Sequence, residues 1–278
     1  MRHIKAHWSV DKQEIGGYKT VRKVIPQVQK LSIGPFVHLT HSHQLLGDAI
    51  VVDERHYAGI ELIDYNFSGD IEHIYAGSGC NPNLRTQTTD DGPVNNIRLW
   101  SKLSKKHEFD EPYEENIRDI FIPRFRLEDG SIKLIAGVLP AFNQTPGAVR
   151  FSDKNALVAH IVIYPGCHMS VDLPEGIEVG FYVISGQGFV SHTDCVYASG
   201  DVGVLQNTNE IQITNPSHEN WMEVFLFGGS LIKDELFFRG SYVFHSEKSL
   251  ALAQSEYFAN HEDIRFVTEF LSYAQQDN

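Results

Sequence analysis

Three imidazoles fall within six residues, His38-Leu-Thr-His41-Ser-His43, where an apolar stretch turns polar. Side chains alternate along a strand. If a strand carries through residue 43, His41 and His43 share a face on which they could ligate a metal; otherwise the run is a polar strand end. His73 reads as a rim residue, and His3 and His7 as surface groups. Other chemistries find no support. No glycine-rich loop follows a strand and opens a helix to cradle phosphate, and no G-x-S-x-G elbow presents a nucleophile. Cys80, Cys167 and Cys195 are far apart with no CxxC, which argues against a thiolate zinc site and a disulfide framework.

The elements that would position these groups are strands. Short β-rich runs recur, among them Gly34–Thr40, Gly59–Phe67, Ile117–Leu127, Ile132–Val138, Val158–Tyr164, Val179–Ile184, Val202–Leu205 and Met222–Phe227, with Gly, Pro, Asn and Asp between them. Such spacing predicts an all-β chain of sandwiches or barrels. Helix is confined to a tail from Ser246 to about residue 275. Ser246 supplies a capping hydroxyl, Leu250, Ala253 and Tyr257 form one apolar stripe, and a second follows His261. The Pro- and Gly-bearing stretch 128–153 suggests a boundary, giving units 1–138 and 139–278. At 278 residues the chain has room for two medium domains. Its net charge of −13 and the lack of a basic run exclude a grip on nucleic acid phosphates. No apolar run reaches the ~20 residues of a membrane span, and the N-terminus lacks the apolar core of a secretory leader. A cytoplasmic protein is expected.

The order of segments resembles the pirin family of bicupins. Val21-Arg22-Lys23 with Gly34–His41 resembles the family's arginine segment and its PFLxLDH strand. Gly59–Tyr65 with Gly69–His73 resembles its GFETVTY and IEH run, and Ile97–Trp100 its LQLW strand. Leu127–Gly130, Tyr164–Gly166, Leu173–Gly176, Gly200-Asp201 and Gly240–Val243 follow in the family's order. The resemblance implies two consecutive cupin barrels, that is double-stranded β-helix or jelly-roll barrels, with a short helical C-terminal tail. It also implies a metal site, usually iron, in the first barrel only, with ligands from an H-x-H-x-G-x-E strand and a later H-x-E pair. Some family members resemble quercetinases; others are described as transcriptional cofactors.

Against that pattern, the two histidine positions hold Arg55 and Tyr57, and His56 is one residue out of register. Glu61 keeps the family's carboxylate. Between His73 and Arg98 the chain is about half the family's length and has no H-x-E, so residues 77–96 are expected to form a connecting loop where two ligand strands are missing. The expected function is a binding or regulatory protein without metal chemistry. The alternative is a quercetinase-like dioxygenase with a rebuilt site using His56 and Glu61, helped by His38, His41 or His73, and Fe(II) or another divalent metal. If the chain is an enzyme, the resemblance makes it a cupin-type dioxygenase. A third reading places a small-molecule pocket in the second barrel at His168, Glu178 and Tyr182. Expected partners are a protein or a small aromatic ligand, without nucleic acid or membrane. A homodimer through Tyr57, Tyr65 and Ile74 would cover the opening left by the missing strands.

Overall fold

The computed structural model describes residues 4–15, 19–27, 31–44, 52–53, 55–67, 69–82, 84–85, 94–142, 144–191, 195–205 and 208–260. The first strands are β1 (Ile4–Ser9), β2 (Gln13–Ile15), β3 (Lys19–Ile25), β4 (Phe36–Gln44), β5 (Val52–Asp53), β6 (Ile60–Asn66), β7 (Ile71–Tyr75), β8 (Leu84–Arg85), β9 (Val94–Lys102) and β10 (Tyr113–Ile117). Then come β11 (Arg124–Leu127), β12 (Gly130–Ala136), β13 (Leu157–Ile163), β14 (His168–Asp172), β15 (Glu178–Ser185), β16 (Gln187–Val190), β17 (Val196–Ala198), β18 (Asp201–Leu205), β19 (Glu210–Thr214), β20 (Met222–Gly229), β21 (Phe237–Arg239) and β22 (Tyr242–Phe244). One helix, α1 (Glu247–Asn260), follows.

Two seven-stranded antiparallel sheets carry the architecture, in the orders β10-β7-β6-β9-β4-β3-β2 and β1-β18-β15-β20-β13-β12-β11. They pack face to face over one shared core, to which Leu39, Ile63 and Leu99 contribute from the first sheet and Val158, Phe225 and Phe227 from the second. Strands covered on both faces read as near-continuous apolar runs; Leu157–Ile163 is one, interrupted only by His160. The second sheet's far side is closed by the four-stranded sheet β14-β19-β16-β17, and apolar side chains fill the barrel between them. Strand β14 alternates between exposed and buried because only its inner side is covered.

The units interlock. Strand β1 pairs with β18, and β12 with β13, so segments 4–9 and 124–136 lie in the second sheet although they precede residue 138. In return the C-terminal segment crosses to the first unit, where Val243 and, from α1, Leu250 and Ala253 pack beside Tyr57 and Ala58. Ser246 Oγ accepts a hydrogen bond from Ser249 N at 3.0 Å, the cap its position implied. Only the first apolar stripe of the tail lies within the described residues. The expected loop 77–96 is partly ordered into strand: Leu84–Arg85 pairs with Val52–Asp53 and residues 94–96 open β9, while 83 and 86–93 lie outside the described residues.

Candidate functional site

The face of the first sheet turned away from the shared core carries two cross-strand rows. One, His38–Trp100–Leu62–Ile74, is mostly apolar and packs with Val37, Ile60 and Tyr57. The next, Thr40–Arg98–Asp64–Glu72, is polar. Asp64 Oδ2 accepts from Arg98 Nε at 3.0 Å and from Nη2 at 2.5 Å, while Asn96 Nδ2 donates to Oδ1 at 2.5 Å. Arg98 Nη1 also donates to Tyr57 OH at 3.3 Å, and the Arg55 guanidinium lies 5.9 Å from the Tyr57 ring centroid. The Arg98 and Asp64 side chains are only 12 % and 13 % exposed, so this pair is largely withdrawn from water.

The same position in the second barrel shows what that row is not needed for. Matching strands by sheet order, the corresponding row is Ala159–Leu226–Phe181–Gly203. It is apolar throughout, and the Phe181 ring lies where a Cβ on Gly203 would be. A cupin barrel of this chain closes without a single polar group there, so the charges in the first barrel are an addition to the fold. They also tune their neighbours. Burial, reinforced by Asp64 and opposed by Arg98, pushes the Glu72 carboxyl up to about 7. Burial, then Arg55 and Arg98, holds His38 down to about 3, so its imidazole stays neutral. His38 packs on Trp100 with centroids 4.4 Å apart, and two buried atoms here, His38 Nδ1 and Trp100 Nε1, have no hydrogen-bond partner among the described residues.

Most residues singled out from sequence lie elsewhere. His56 faces the C-terminal segment: Tyr242 OH hydrogen-bonds its Nδ1 at 2.6 Å and Tyr257 packs on its ring. Glu61 is fully buried on the opposite side of the sheet, where Oε1 accepts from Ser152 N at 2.8 Å and from Ser152 Oγ at 2.5 Å. His73, also buried there, has Nε2 3.7 Å from Glu61 Oε2 and Nδ1 3.8 Å from Glu115 Oε2. The structure does not bring His56 and Glu61 together. Strict alternation from Tyr57 would have kept residue 61 on the inner face, but Gly59 at φ 74° breaks the alternation. Tyr57 and Ile60 then share a face and Glu61 turns away. His41 also faces the shared core, against Tyr182 and Asn95. Of His38, His41, His56, Glu61 and His73, only His38 reaches the inner face. Nor do His168, Glu178 and Tyr182 converge on a pocket. His168 is exposed on the outer sheet, Glu178 binds Lys5 Nζ and Gly34 N, and Tyr182 faces the first sheet.

No group of three or more His, Cys, Asp or Glu side chains suited to a metal occurs among the described residues. Among the described residues the inner face offers one neutral imidazole, a carboxylate already neutralised by Arg98, and Glu72; this donor set does not fit a divalent cation. Arg98, Asp64, Glu72 and Trp100 were not read as a site. Their signal was a charged residue at the same parity on three neighbouring apolar strands, IELIDYN, IEHIY and NIRLW.

Two stacked sheets, each backing a barrel, define a bicupin. The fold is similar to that of quercetin 2,3-dioxygenase from Acinetobacter baumannii, at 15% identity and TM-score 0.75 over 92% of this chain and 96% of that one. It is also similar to the bacterial pirin YhhW in complex with nickel(II) from Escherichia coli, at 11% identity and TM-score 0.56 over 80% and 96%. Residues 158–263 match the family model described as "Pirin C-terminal cupin domain". Pirin-1 of Arabidopsis thaliana is 21% identical over 197 residues, 68% of this chain; the match spans 64% of that relative's length. Family model, relative and fold all point to the pirin family.

Proposed function

We propose that this pirin-family chain is a binding or regulatory protein that takes a small aromatic molecule rich in hydrogen-bond acceptors on the inner face of its first barrel, without a resident metal. The observation that carries this reading is the polar row at a position the second barrel fills with hydrocarbon. Arg98 supplies a fixed positive charge, Trp100 Nε1 an unused donor, and the rings of Trp100, His38 and Tyr57 an aromatic wall. Such donors on an apolar wall suit carbonyl, phenolate or carboxylate oxygens on an aromatic frame. Glu72, near 7, can give up or accept a proton there at neutral pH.

The test is a tryptophan-fluorescence titration with quercetin and simple aromatic acids in chelator-treated buffer. Saturable binding is expected, weakened at least about tenfold, or about 1.4 kcal/mol, in Arg98→Met. No binding, or binding only on adding a divalent metal, contradicts the proposal. Oxygen uptake with quercetin after iron addition would instead favour the metal-dependent dioxygenase alternative.

A further inference from the structure

The shared core contains a duplicated polar device that the ligand site does not use. Across the first sheet one row runs Ile117–Ile71–Tyr65–Ile97–His41–Arg22. Across the second, the topologically matching row runs Trp8–Val202–Tyr182–Phe225–His160–Lys133. Position by position the two read apolar, apolar, tyrosine, apolar, histidine, base. Because the sheets face each other, the tyrosine of each row meets the histidine of the other. His41 Nδ1 lies 2.7 Å from Tyr182 OH, and His160 Nδ1 lies 3.0 Å from Tyr65 OH. The bases follow the same rule: Arg22 Nη1 donates to Tyr182 OH at 3.3 Å, and Lys133 Nζ lies 4.7 Å from the Tyr65 ring centroid.

The second ring nitrogen breaks the symmetry. His41 Nε2 lies 2.6 Å from Asn95 Oδ1, and His160 Nε2 lies 3.1 Å from Glu223 Oε2. Asn95 and Glu223 sit at matching positions, each two residues before the strand residue paired with its histidine. Both oxygens can only accept, so each Nε2 donates and each Nδ1 takes the tyrosine hydroxyl proton. One half ends on an amide that cannot titrate, the other on a carboxylate.

We infer that this histidine–tyrosine clasp locks the two barrels together at two points, and that acid weakens the halves in turn, first at His41 and then at Glu223. Burial, opposed by the Asn95 hydrogen bond, holds His41 down to about 4, so that half loses stability as pH falls from 6.5 towards 4. The hydrogen bond from His160 holds the Glu223 carboxyl below its usual range, against the opposing effect of burial; His160's charge, Ser185 and His41 add to the lowering. Lys133, itself paired with Asp119, is the other charge facing this half, and Arg124 lies beyond. A depressed carboxyl contributes stability above its ordinary value of 4.5, and that contribution is lost as pH falls through the lowered one.

Urea unfolding of the full chain between about pH 6 and about pH 3 reads this acid limb. Glu223→Gln removes the second titrating group, and should flatten the limb below about pH 4.5 while leaving the fall above it. Asn95→Asp sets a carboxylate against His41, and should shift the first loss to lower pH. Tyr182→Phe should lower the midpoint most near about pH 6, where His41 is neutral and accepts the hydroxyl proton. An unchanged limb in Glu223→Gln overturns the inference, as does a Tyr182→Phe loss confined to acid. If Asn95→Asp fails to fold, the Glu223→Gln and Tyr182→Phe limbs still decide.

Discussion

Arg98 keeps its charge inside the first barrel only because Asp64 meets it through two nitrogens and Asn96 takes the other carboxylate oxygen. Breaking such a pair strands one charge away from water. Arg98→Met should therefore destabilise by about 2–4 kcal/mol, whereas Asp64→Leu with Arg98→Met should recover much of that loss. Chemical denaturation of the single and double variants measures it. Glu72 gives a prediction of opposite sign. Its folded-state value is raised to about 7, so the unfolded chain ionises first and stability falls as pH rises from the ordinary 4.5 towards 7. Glu72→Gln should remove that fall and leave the variant more stable than the parent at neutral pH, read from unfolding midpoints at both ends of the window. At this scale the sequence told half the story. Period-2 reasoning placed His56 out of register with Arg55 and Tyr57, and its imidazole does lie with Tyr242 instead. The same reasoning kept Glu61 with the site, because a left-handed glycine at 59 cannot be seen in a strand pattern.

Strands and the tail were the most readable elements, since alternation and capping are local. Ser246, Leu250, Ala253 and Tyr257 announced a capped helix with one apolar face. What that face covers was not legible, because periodicity reports a face and not its partner; it packs on Ala58 and Tyr242. Leu250 is 4 % exposed, so Leu250→Ala should cost about 2–3 kcal/mol, with faster proteolysis of the helix as a second readout. Gly59 joins the two elements. It sits at φ 74° and a Cβ there would collide with Val243 O, so Gly59→Ala should lose about 1–3 kcal/mol in a denaturation series. The expectation of a plain loop over residues 77–96 missed the short β5–β8 pairing, which a two-residue strand signals too weakly to detect.

For the molecule as a whole, two barrels in series were legible and their interlocking was not. Strand β1 completes the second sheet from the far end of the chain, and the C-terminal segment returns to the first unit. A fragment 139–278 lacks β1, β11 and β12 and should show no cooperative unfolding. Tyr57, Tyr65 and Ile74, on which the dimer expectation rested, are buried: Tyr57 and Ile74 beside Val243 of the returning segment, and Tyr65 in the core between the two large sheets. Across both barrels the fold repeats one lattice of strands in its large sheets, and the copies differ on their inner faces by the polar row built on Arg98 and Asp64. The central claim is that this row serves ligand binding with a protein-supplied cation in place of a metal. Metal analysis of the full chain, purified without added metal and without chelator, tests it most directly. The account predicts iron and all other divalent transition metals far below one per chain; close to one metal per chain, retained through gel filtration, would contradict it.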